Sequence, residues 1–423
     1  MMTMNKRTFL KQFALGGLAA TPFYQKLEQL VQSVAHISPE ELASDEKFWA
    51  EVRAGYRLKP DYINLENGYY CITPQETLEN FIHHVREVNY QGSWYMRTVQ
   101  WDNKDAVASR LAELVDCSPE EVAITRNTTE SLDTIIGGFP WEPGDEAVMA
   151  EQDYGAMLHM FQQVEKQFGV VNKVVSIPNH PASDEEIVEV YARAITPRAR
   201  LLMVCHVVNI TGQVLPIRKI CDMAHERGVE VMVDGAHAVG QIVFSMKELD
   251  CDYYGSSLHK WLSTPLGAGL LYVRKEKIPR IWPRFADWGK DMDDIHRLNH
   301  TGTHPVHTDL AVGNALEYYY RLGPERKEAR LRYLQNYWTD QVRAWPHIVL
   351  NTPVERHRSC AIANVGVKGM KPADLADTLL RKYRIWTVAI DGAGVQGCRI
   401  TPNVYTTTRE LDVLVRALKE LGG

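Results

Sequence analysis

VEVMVDGAH, Val229–His237, and CDYYGSSLHK, Cys251–Lys260, decide the fold. The first run is too apolar to be a strand with one wet face, which would alternate polar and apolar residues, so it belongs in a sheet covered on both sides. Each stretch also ends on a group that is costly to bury without a partner, the acid Asp234 and the amine Lys260. Two strands that deliver an acid and an amine to their ends predict a site there.

Working outward, EEVAITR (120–126), DEAVMAE (145–151), NKVVSIP (172–178) and ARLLMVCHV (199–207) read as further strands, and PIRKICDMAHERG (216–228) reads as a helix between two of them. This alternation predicts an α/β fold with a mostly parallel sheet wrapped by helices on both faces, with ligands beyond the carboxyl ends of the strands. After about residue 310 the pattern changes. The charged helical stretch GPERKEARLRYLQNYWTDQVRAW leads into short strands and a final amphipathic helix, TRELDVLVRALKEL. The expected organisation is a signal-like stretch that opens an N-terminal segment over 1–35, the rest of that segment with a large domain over 36–310, and a smaller α+β domain over 311–423.

The chain has 423 residues, 45% hydrophobic and 24% charged, with a net charge of −6, and no dense basic stripe, so no nucleic-acid partner is expected. Seven cysteines lie far apart with no C-x-x-C pair, which argues against a zinc cage or a disulfide framework. NKRTFLKQFALGGLAATPF, residues 5–23, sets a basic pair before a short apolar run. The run is too short to span a bilayer. It resembles a twin-arginine export signal, with Lys6-Arg7 in place of two arginines, which implies export of an already folded protein to the periplasm; the alternative is an amphipathic N-terminal helix on a cytoplasmic protein.

Asn127, Thr128 and Thr129 open a helix after EEVAITR, with Glu130 at capping-box spacing, and the free N–H groups and hydroxyls of such a start form an anion site. A phosphate site, a buried acid and a desolvated lysine at adjacent strand ends are what pyridoxal phosphate needs. Its phosphate docks on the helix start, its ring nitrogen is held protonated by Asp234, and its aldehyde condenses with Lys260. At an effective dielectric of about 20, a carboxylate about 3 Å from the pyridinium contributes roughly 5 kcal/mol before desolvation. The lysine amine, once displaced, is the natural base for the substrate's α-proton.

From about Asn64 to Gly423 the chain resembles the class V aminotransferase group of fold-type I pyridoxal phosphate enzymes, most strongly in DGAH with SSLHK and in CRITPNVYTTTRELD. The resemblance implies that Asn127, Thr128 and Thr129 lie near the phosphate or substrate, that Tyr154 stacks on the ring, and that Asn209 and His237 contact the ring hydroxyl. Ser257 and His259 are implied as further phosphate ligands. Gly302 and Thr303 match a loop that reaches the partner subunit's phosphate, which implies a homodimer. Arg399 matches the arginine that clamps the α-carboxylate, with Asn67 contributing from INLENGYY, so the expected substrate is an α-amino acid or an amino-acid-containing metabolite or peptide.

The resemblance leaves the reaction open among aminotransferase, epimerase and lyase, and a cofactor-binding sensor is the non-enzymatic alternative. A desulfurase needs a cysteine on a mobile loop before the arginine, and RKYRIWTVAIDGAGVQGC offers only Cys398, next to Arg399 at the start of the expected strand RITP. His300, His304 and His307 have no carboxylate or cysteine at ligand spacing, so no metal is expected. Arg97 and Arg284 sit in aromatic-rich stretches that could shape a pocket or pack a dimer.

Overall fold

The structure is a computed structural model that describes residues 22–286 and 289–422; the expected export signal at Lys6-Arg7 lies outside the described residues. Strand β1 is Ile63–Asn64, followed by β2 (Val122–Thr125), β3 (Glu146–Ala150), β4 (Val171–Val175), β5 (Ala199–Cys205), β6 (Glu230–Asp234), β7 (Tyr253–Ser257) and β8 (Gly269–Val273). The last seven form one sheet in the order β2-β8-β7-β6-β5-β3-β4. All neighbours are parallel except at β8, which runs antiparallel between β2 and β7. All the expected strands form; β8 is additional.

Except along the edge strand β4, both faces of the sheet are buried, and successive residues divide between them. Val231 and Val233 of β6, with Leu202 and Val204 of β5, point into one core, which includes Trp49, Leu111 and Leu316. Met232, Leu201 and Met203 point into the other, against Ile135 and Phe161. The helix Thr128–Gly138 follows β2, and Gly155–Phe168 follows β3. The carboxyl ends of β2, β3, β5, β6 and β7 therefore open on one edge.

The remaining strands are β9 (Ile348–Leu350), β10 (Ala363–Val367), β11 (Ile385–Trp386), β12 (Val388–Gly392) and β13 (Val395–Ile400). Four of them form an antiparallel sheet ordered β12-β13-β10-β9, backed by the helices Pro324–Val342, Pro372–Tyr383 and Thr408–Glu420, with Leu334, Trp338, Val365 and Leu414 in a separate core. The boundary expected at 310 falls inside the helix Val306–Leu322, whose Val312, Ala315 and Leu316 join the large-domain core, as does Leu331 of the next helix, whereas Leu334 and Trp338 enter the separate core. The N-terminal segment belongs to both bodies. Phe48 and Trp49 pack into the large domain, whereas β1 pairs in parallel with β11 and Leu65 enters the small core. Among the described residues no helix is long and apolar enough to cross a membrane.

Arg330 fastens this N-terminal segment. It is buried, donates to the carbonyls of Ala43 at 2.9 Å and Thr406 at 3.1 Å, and meets Glu46 at 2.6 Å. Removing a buried cation that satisfies two carbonyls leaves them unpaired. Arg330→Met should therefore lower stability by about 3 kcal/mol. Urea unfolding would measure it, and a loss under about 1 kcal/mol would remove Arg330 from this role.

Candidate active site

The strand ends enclose a cavity of about 390 Å³. Its lining brings together Asn127, Thr128, Thr129, Tyr154, Asn209, Asp234, His237, Ser257, His259, Lys260 and Arg399, along with Gly68, Tyr69, Arg126 and Cys205. Three of the expected residues, Asn67, Gly302 and Thr303, do not line it. Gly302 and Thr303 are exposed on the loop before the helix Val306–Leu322 and do not line this cavity.

Asn67 requires a correction. It is fully buried: its amide N–H donates to the Thr401 carbonyl at 2.6 Å and its oxygen accepts from Tyr405 at 2.6 Å and Asn64 at 3.0 Å. These bonds tie the N-terminal segment to the small domain, and Asn67 does not line the cavity. Arg399 also differs in detail, being the fifth residue of β13 rather than its first. Arg97 is exposed and Arg284 donates to the Asp133 carbonyl; neither lines the cavity.

One end of the cavity is an anion cradle. Asn127 caps the helix by accepting from Glu130 N–H at 2.9 Å, which leaves the Thr128 end facing the cavity. Thr128 N–H donates to Ser257 Oγ at 2.9 Å, and the two hydroxyls are 2.7 Å apart. His259 Nδ1 is buried without a partner. An unsatisfied buried nitrogen beside a helix N-terminus and two hydroxyls is a polar site built for a group it does not itself contain. Arg126 is drawn outward by Glu130 at 3.0 Å.

At the centre, Asp234 ends β6 and accepts from Ala236 N–H at 2.9 Å. Burial pushes its carboxyl up, while that N–H and the Lys260 amine oppose the rise. Lys260 Nζ lies 3.1 Å from His237 Nε2, and Trp261 Nε1–H donates to His237 Nδ1 at 3.2 Å. An indole nitrogen can only donate. Nδ1 is therefore the acceptor, the proton of the neutral imidazole sits on Nε2, and Nε2–H can donate to Lys260 once that amine is neutral. Burial and the neighbouring cations hold His237 well below its ordinary range, so the neutral ring is the resting form. Burial likewise pulls Lys260 down to about 8, against the opposing pull of Asp234 and with Arg399 adding to the fall.

At the far end, Arg399 is 7% exposed and donates through Nη1 to the Asn209 carbonyl at 3.2 Å. Tyr154 and Tyr69, 47% and 76% exposed, stand at the mouth. The three histidines of the 300–307 loop diverge. His300 bonds the Ala286 carbonyl, His304 pairs with Asp309 at 2.9 Å, and His307 packs on Phe81. Among the described residues no three His, Cys, Asp or Glu side chains converge as a metal cage.

Cradle, acid and amine thus fit pyridoxal phosphate: Thr128, Ser257 and His259 for its phosphate, Asp234 for its ring nitrogen and Lys260 for its aldehyde. Sequence reasoning missed Glu66, Gly68, Tyr69 and Trp261. The two stretches that hold them, INLENGYY and SSLHKWL, were visible, but pairing across 333 positions of chain was not.

Comparison with known proteins gives the family and the fold. The model of the aminotransferase class-V family matches residues 72–416. Isopenicillin N epimerase of Amycolatopsis lactamdurans is 28% identical over 395 residues, covering 88% of this chain and 98% of that protein. A probable cysteine desulfurase of Synechocystis is 25% identical over 388 residues, covering 84% and 90%. Among solved structures, C-DES, in a variant with glycine covalently linked to its pyridoxal phosphate cofactor, superposes with a TM-score of 0.79 at 20% identity, over 88% of this chain and 98% of that one. At that identity the likeness shows a shared fold.

Only a free amine condenses with an aldehyde, so the cofactor-free protein should capture pyridoxal phosphate at a rate that rises with pH through about 8. Trp261→Phe frees His237 Nδ1, lets Nε2 accept from an ammonium, and should move that midpoint upward. Stopped-flow absorbance across pH would read both, and a wild-type midpoint above about 10, the ordinary lysine range, would contradict the environment described.

Proposed function

Because the chain belongs to the class V aminotransferase family of pyridoxal phosphate-dependent enzymes, we propose that it labilises the α-proton of an amino acid, or of a metabolite or peptide with an amino-acid end, as an aminotransferase or an epimerase. The observation that carries this reading is the span of one cavity from the Thr128–Ser257 cradle, past Lys260 and Asp234, to Arg399. The cofactor supplies an electron sink for the charge left on the α-carbon when the proton departs. In this reading Lys260 holds and returns that proton, and a depressed amine suits the task at neutral pH. Asp234 keeps a negative charge against the ring nitrogen. Arg399 binds the carboxylate and, with the cradle at the other end, fixes the α-carbon beside Lys260.

The cysteines favour this over a persulfide-forming lyase. Cys398 is fully buried in β13 with its thiol pushed up to about 12 by burial. Cys205, in the cavity wall, is 3% exposed and is likewise held well above the ordinary thiol range. A nucleophilic cysteine needs an accessible thiolate, and neither residue supplies one.

Lys260→Ala should lower turnover by roughly a thousandfold or more while the protein stays folded. A panel of L- and D-amino acids and peptides in deuterated water separates the outcomes. Amine-form cofactor with keto acid means transamination, and α-deuterium with inverted configuration means epimerisation. Sulfide release from cysteine at comparable rates would overturn the reading. The exposed Gly302–Thr303 loop, set apart from its own cavity, supports a two-fold dimer with exchanged loops; sedimentation of a fully active monomer would exclude it.

A further inference from the structure

Arg399 already holds a carboxylate of this chain. Its Nη2 donates to Glu66 Oε1 at 2.5 Å and its Nε to Oε2 at 3.3 Å, which uses one edge of the guanidinium. Tyr69 N–H also donates to Glu66 Oε1, at 2.9 Å. The Arg399 and Glu66 side chains are 9% and 7% exposed, and Glu66 does not line the cavity. It approaches the arginine from behind. Gly68 makes room for this, since a Cβ there would lie 2.7 Å from the guanidinium carbon.

A guanidinium has two edges that can hold a carboxylate side by side. With Nε and Nη2 committed to Glu66, the edge left for the cavity is Nη1 with the second hydrogen of Nη2, and the Asn209 carbonyl fixes Nη1. The pair carries no net charge. An incoming anion then meets no free cation and is held only if its oxygens match the presented edge.

We infer that Glu66 is a positioning and specificity-determining residue: paired behind Arg399, it neutralises and orients the guanidinium so that the amino-acid end is selected by two-oxygen geometry, while simple anions are excluded. It rests on the reading of Arg399 as the group that binds the substrate carboxylate. Glu66 touches no substrate and acts through Arg399 alone.

The test titrates acetate, a planar two-oxygen anion, and chloride, which has no such shape, into cofactor-loaded protein by calorimetry. Wild type should bind acetate weakly and chloride more weakly still. Glu66→Gln releases the charge and loosens the guanidinium, so both should bind at least tenfold more tightly, with chloride gaining more and the acetate preference shrinking. Glu66→Asp, which keeps the charge, should stay nearer wild type. A purely structural role would change the melting temperature without changing the anion preference. Constants for Glu66→Gln within twofold of wild type, or no binding by either protein, overturn the inference. If Glu66→Gln fails to fold, Gly68→Ala reads the same pairing by pushing Arg399 off Glu66, and unchanged constants there overturn it equally. Failure of every amino acid in the turnover panel, with the anion response intact, would count against the proposed activity alone.

Discussion

The amine of Lys260 has to lose most of its water and still find a partner, and the architecture answers that constraint. A parallel sheet buried on both faces has no room for charge along its strands, only at their ends. Asp234 and Lys260 leave neighbouring strands at the same edge, so the acid and the amine share one desolvated region and each limits the cost of burying the other. The Trp261–His237 contact adds direction, because a donor-only indole decides which imidazole nitrogen faces the amine.

That edge is only part of the site, and the remainder comes from a seam between bodies. The carboxylate end is assembled from the N-terminal segment, through Glu66 and Gly68, from the loop after β5, through Asn209, and from β13 of the small domain. Close approach makes the seam rigid. Gly212 sits at φ +78°, and a Cβ there would lie 1.9 Å from the Ile362 carbonyl oxygen, so the large-domain loop meets the small domain backbone to backbone. Thr352 Oγ1 donates to the Thr211 carbonyl at 2.7 Å beside it. The distance from cradle to arginine is thus set by packing between domains, which is how a cavity built from separated segments holds a fixed substrate length.

Local signals were legible and long-range ones were not. Apolar runs ending on Asp234 and Lys260 announce buried strands and a site, and the Asn127 cap announces the helix start, because each depends on neighbours in sequence. The strand β8, GLLYV, is missed although it is apolar: its Gly-rich approach resembles a loop, and only its position between β2 and β7 makes it a strand. In INLENGYY the reading fell on Asn67, whereas the residue at the arginine is Glu66. Neighbouring side chains in extended backbone face opposite ways, so a one-residue error exchanges a structural tie for a site contact. Composition changes near 310, but the packing of Val312, Leu316 and Leu331 keeps the chain in the large-domain core beyond that point, which only the folded contacts show.

The acid end of the cavity shows the same economy of charge as the arginine end. Asp153, 6% exposed, accepts from Ala150 N–H at 2.8 Å close behind Asp234, and burial together with the neighbouring acid pushes its carboxyl up to about 7. Two carboxylates in one dry region cannot both ionise cheaply, and the one facing a cation ionises first. Lys260 pulls the Asp234 carboxyl down against its burial, whereas among the described residues no cation offsets the burial of Asp153, which keeps its proton below about pH 7. Behind Arg399 a carboxylate cancels a cation; behind Asp234 a carboxyl stays neutral. In both places the second group limits the net charge of the region, and Glu66 also fixes where the guanidinium points.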